Sequence, residues 1–140
     1  MQMTIQEGSN YFRGLLLLIR KDHKVTDEEI ALLMRVGKSL GFAKSFCETA
    51  VTDILENRYI LDKPPIFSQQ EIAKKFISDG LIIAQYDKEI HVDEERWLRS
   101  VAAENKITND WFLQEKERVE RAYKNNELVF DDLVVEYLKQ

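Results

Sequence analysis

The chain has 140 residues, 44% of them apolar and 10% aromatic, with 20 Lys and Arg against 25 Asp and Glu for a net charge of −5. That length and apolar content suit a single folded domain and exclude wholesale disorder. The acidic balance disfavours a nucleic-acid scaffold, whose affinity would rest on clustered Lys and Arg.

A single cysteine, Cys47, leaves no internal disulfide or multi-cysteine zinc site, and its helical surroundings suit a buried small hydrophobe. Residues 1–7 show no basic flank leading into an apolar segment, so no signal peptide is read. The longest apolar run, Leu15 to Ile19, falls far short of the ~20 residues of a membrane span. The expectation is a cytoplasmic protein without a membrane span.

In chain order, Tyr11, Phe12, Leu15, Leu16 and Ile19 form a helical stripe over residues 9–21. Thr26-Asp27-Glu28-Glu29 has the Ser/Thr-x-x-Glu spacing of a capping box and opens a helix that ends near Gly41. A third helix is predicted from about 43 to 57. Asp62-Lys63-Pro64-Pro65 marks a linker, about 58–67, because consecutive prolines cannot continue a helix. Ser68-Gln69-Gln70-Glu71 has the spacing of a second capping box, before Ile72, Phe76, Ile77, Leu81 and Ala84. Further helices are expected from His91 to about Asn105, from Thr108 or Asn109 onward, and, short and amphipathic, over about 131–139. Nothing alternates as strands do.

These segments repeat. Asp22 lies 65 residues before Asp87 (87 − 22), and the same offset pairs Val25 with Ile90, Glu29 with Glu94, Leu33 with Leu98, Leu32 with Trp97 and Phe46 with Trp111. A repeat of this length implies two copies of one supersecondary unit, each burying its apolar face against the other. The expected fold is all-α: a helical bundle of two three-helix repeats, about 9–57 and 68–124, plus the C-terminal helix. Leu33/Leu98 and Phe46/Trp111 should occupy equivalent buried positions.

Glycines stand only at 8, 14, 37, 41 and 80, so no dinucleotide or P-loop signature exists, and no nucleophile elbow or His-Glu-x-x-His is present. An enzyme is not the favoured reading. What remains is the duplicated turn: Asp22 and Glu29 in one copy, Asp87 and Glu94 in the other, with His91 beside the second pair. Two carboxylates at the positive end of a helix are a donor set for Ca²⁺, Mg²⁺ or Mn²⁺. The same acids also read as simple helix caps. An EF-hand is excluded, because its twelfth position falls on Leu33 or Leu98 rather than Glu.

The duplicated Asp-x-x-(Val/Ile)-x-x-x-Glu between an apolar and an amphipathic helix resembles the TerB family, which includes the tellurite-resistance protein and a related region of a DnaJ-like, membrane-anchored co-chaperone. The resemblance covers about residues 9 to 124. It implies two similar helical halves and divalent metal at Asp22, Glu29, Asp87 and Glu94. The family's turns usually carry Gly after the Asp, whereas this chain has His23 and Lys88. The function expected is non-enzymatic binding of a partner protein, with a divalent cation, in stress or tellurite resistance. Its surface would be the acidic turns or an apolar patch around Trp97 and Trp111, and a homo-oligomer is compatible with it. The alternatives are a metal-dependent hydrolase using Asp22, Asp87 and Glu94, and an adaptor whose acids only cap helices.

Overall fold

The computed structural model describes residues 3–21, 25–57, 59–85 and 90–125. Among them are six helices and no strand: α1 Ile5–Arg20, α2 Asp27–Ser39, α3 Lys44–Glu56, α4 Gln70–Gln85, α5 Val92–Glu104 and α6 Asn109–Lys124. The all-α expectation therefore stands. The predicted C-terminal helix at 131–139 lies outside the described residues.

Helix ends follow local chemistry. α1 begins four residues before the apolar stripe suggested, because the Thr4 hydroxyl accepts from Glu7 N at 3.1 Å and caps it there. At the C-terminal end of α2, Gly41 adopts φ +90° while its N–H reaches Lys38 O and Phe42 N–H reaches Gly37 O, a Schellman closure. α5 closes in the same way through Lys106 at φ +60°, with Lys106 N–H on Ala103 O and Ile107 N–H on Ala102 O. The second predicted capping box is used differently, since Ser68 donates both its N–H and its hydroxyl to Glu7 Oε2, at 3.0 and 2.5 Å. Thr108 caps α6, its hydroxyl accepting from Trp111 N at 3.2 Å.

α1 packs against α2, α3, α4 and α5, and the core gathers around it. Tyr11, Phe67, Phe76 and Trp97 form its aromatic centre, with ring centroids 5.3–5.9 Å apart. Helix approach is close: a Cβ on Gly14 would lie 2.7 Å from the Phe76 ring, and one on Gly37 would lie 2.4 Å from Cys47 Sγ. The linker is strapped down rather than loose. Arg20 donates to the carbonyls of Ile54, Asn57 and Ile60 and pairs with Asp62, as does Lys21. Asn105 holds its other end, accepting from Phe67 N at 2.9 Å and donating to Pro65 O at 2.8 Å.

Of the pairs 65 apart, Leu33 and Leu98 are both fully buried, as are Val36 and Val101. Phe46 and Trp111 differ. Trp111 is partly buried against the core, whereas Phe46 is 46% exposed beside Phe42, at a centroid distance of 5.0 Å. The expectation of matched burial fails there, because among the described residues no element packs over the Phe46 ring as the core does over Trp111.

Candidate functional site

Among the described residues, two places stand out for their chemistry. The first is the start of α2 and of α5. Glu29 is fully buried at the third position of α2; its Oε1 accepts from Thr26 N at 3.0 Å and from Thr26 Oγ1 at 3.1 Å, while Glu29 N donates to Thr26 Oγ1 at 3.1 Å. Glu94, 1% exposed, repeats this in α5: its Oε1 accepts from His91 N at 3.2 Å, and His91 Nδ1 accepts from Asp93 N at 3.2 Å. A buried carboxylate is costly unless hydrogen-bonded, and here a backbone N–H at a positive helix end meets Oε1 of each. His91 sits at the N-cap with Asp93 3.8 Å away. Among the described residues no group of three or more His, Cys, Asp or Glu converges. Asp22 and Asp87 lie outside the described residues, so of the four proposed metal ligands Glu29 and Glu94 alone have a described setting, and in it they cap helices.

The second place is a groove of about 640 Å³ where α2 meets α3, lined by Ala31, Met34, Arg35, Lys38, Phe42, Lys44 and Cys47. Its floor is apolar and its rim is basic. Burial, and then the neighbouring Glu48, push the Cys47 thiol up, so it stays a neutral part of the floor rather than a reactive thiolate. The exposed Phe46 extends the apolar surface beyond the groove. Among the described residues, no carboxylate lines it. The expected patch around Trp97 and Trp111 is absent as a surface. Trp97 is 5% exposed and packs on Phe76, and Lys74 lies over the Trp111 ring at 5.4 Å. These indoles fill the core and its edge, Trp97 like its counterpart Leu32 and Trp111 unlike the exposed Phe46.

Two further features escaped the sequence. Asp79 is fully buried in α4 and accepts from the Tyr11 hydroxyl at 2.6 Å, joining α4 to α1. Burial, and then the charge and hydrogen bond of Asp79, hold the Tyr11 phenol far above its ordinary range, so it remains a donor. The signal was an acid inside an otherwise apolar helical run. Arg20 carries no such signal, standing beside Lys21 at the end of the first helical stripe, yet it clasps the end of α3 and the linker. A smaller cavity of about 270 Å³ lies between α1 and the linker, lined by Asn10, Arg13, Leu17, Lys63 and Pro65 among others, and no acid is among its described lining residues.

No family model matches the chain, and no curated protein or solved structure matches it.

Proposed function

We propose that this chain is a non-enzymatic TerB-like domain that binds a partner protein in a stress or tellurite-resistance setting, and that its halves are two copies of one three-helix unit. The apolar, basic-rimmed groove between α2 and α3 carries the binding reading: Phe46 is exposed beside it, Phe42 and Met34 are only partly buried, and a contiguous apolar surface of this kind suits a partner. Support for the two-copy reading comes from the helix starts, at 5 and 70, 27 and 92, 44 and 109, each 65 apart. The paired capping glutamates, Glu29 and Glu94, add to it.

The test places a photo-crosslinking phenylalanine analogue at Phe46 and, as a control, at the exposed Leu113 of α6. The expected result is one covalent partner captured from position 46 and lost on Lys38→Glu with Lys44→Glu. Equal labelling from both positions overturns the reading.

A divalent cation at the helix-start turns is a second reading, favoured by the two buried glutamates standing 65 residues apart. A cation that binds only the folded state stabilises it by about 2.7 kcal/mol at a hundredfold excess over Kd. Metal-stripped protein should then melt higher with millimolar Ca²⁺, Mg²⁺ or Mn²⁺, and Glu29→Gln with Glu94→Gln should erase the shift. No shift with any of the three leaves both glutamates as caps.

A further inference from the structure

We propose that the α2/α3 groove is the docking site for residues 126–140 of the same molecule, which compete there with the external partner. The proposal rests on the reading of the groove as a recognition surface. Charge and apolar pattern both point to this occupant.

The segment carries Glu127, Asp131, Asp132 and Glu136 against a single Lys139, a net charge of −3 (1 − 4). Phe130, Leu133, Val134, Tyr137 and Leu138 recur in it at helical spacing and together make one apolar stripe. A stripe of this kind needs an apolar surface, and its acidic flanks need cations. The groove offers both, with Met34, Phe42 and Cys47 as floor and Arg35, Lys38 and Lys44 as rim. The corresponding seam between α5 and α6 is less suited: Arg99 covers the Phe112 ring at 5.2 Å, and its cations Arg99 and Lys116 are already paired with Glu95 and Glu120, which leaves no excess positive charge. Complementarity therefore selects the first seam over the second.

The experiment uses the full chain with ¹³C-methyl methionine, whose Met34 methyl reports on the groove. A nitroxide is attached through Lys139→Cys in a Cys47→Ala background, with circular dichroism checking the fold. The expected result is that the Met34 signal loses most of its intensity and recovers when Leu133→Asp and Tyr137→Asp are added. Lys38→Glu with Lys44→Glu should also restore it, and Asp131→Lys with Asp132→Lys on top should bring the broadening back.

A second sample mixes nitroxide-bearing ¹²C chain with ¹³C chain that lacks the nitroxide. Broadening of Met34 in that mixture overturns the proposal in favour of a second copy as occupant. An unaffected Met34 in both samples overturns it outright. In that case a surviving crosslink from position 46 keeps the groove as a partner site, while loss of that crosslink removes both readings.

Discussion

The seam between α2 and α3 and the seam between α5 and α6 are built from helices of matching start, yet their contents are opposite. The first presents Ile30, Met34, Val51 and Leu55, all buried or partly buried. The positions 65 further on hold Glu95, Arg99, Lys116 and Glu120, which form a chain of ion pairs: Arg99 to Glu95 at 3.0 Å, Lys116 to Glu95 at 2.5 Å and Lys116 to Glu120 at 3.6 Å. Arg99 also reaches Asn109 Oδ1 at 2.9 Å. Such half-exposed pairs add little stability. They do cover the Phe112 ring with charge. One helical frame therefore accommodates an apolar seam and an ionic one, and a handful of side chains decides which.

The largest effects should come from the shared core, and they test whether the two halves are equally load-sharing. Leu33→Ala and Leu98→Ala should each cost about 2–5 kcal/mol in chemical denaturation, as buried Leu truncations do. A cost confined to one of them would mean that the two halves do not share one cooperative core.

Next comes Gly37, where α2 touches α3. Gly37→Ala drives a Cβ into Cys47 Sγ and within 3.3 Å of the Phe12 ring, so it should destabilise by about 1–3 kcal/mol. The position 65 further on is already Ala102, nearly buried at 4%. If Gly37→Ala is neutral, the two seams are spaced alike and the groove owes nothing to this close approach.

The ionic seam should be distinguishable by pH. The hydrogen bond from Lys116 holds the Glu95 carboxyl below its ordinary value, against an opposing push from burial and with help from Arg99. Its folded-state pKa is thus depressed, so the stability it adds is present above the unfolded value near 4.5 and lost as pH falls through the folded one. Asp62 behaves with the same sign: burial pushes it up, but bonds from Lys21 and Arg20 prevail. Glu95→Gln should flatten the acid limb of a stability–pH curve and cost no more than about 1 kcal/mol near neutrality. An unchanged acid limb would show that the seam's charges do not interact in solution.

The smallest effect belongs to the two helix ends. Gly41 takes positive φ freely, whereas Lys106 takes it at a steric cost. Lys106→Gly should raise stability by up to about 1 kcal/mol, less the entropy that a glycine adds to the unfolded chain. The Lys106 carbonyl keeps its bond from Gln70 Nε2 at 2.7 Å in that variant, since the backbone supplies it. A loss of stability would mean that the lysine stem packs usefully where it lies.

The parts of this molecule legible in its sequence are those whose partners sit within a turn of one another. Thr26 and Glu29 are three residues apart, so their reciprocal bonds follow from spacing alone, and the helical periods that bury Leu33 and Leu98 are equally local. Asp79 meets Tyr11 across 68 residues, and Ser68 meets Glu7 across 61. No local pattern encodes those encounters, because they depend on how α1 and α4 cross and on where the linker is pinned. The groove is decided at the same level. Met34, Phe42, Phe46 and Cys47 read as ordinary core residues along the chain, and Arg99 as an ordinary surface charge. Only the packing of α2 on α3 and of α5 on α6 sets which seam lies open and which is covered, because solvent exposure belongs to the neighbours that surround a side chain and not to the side chain itself.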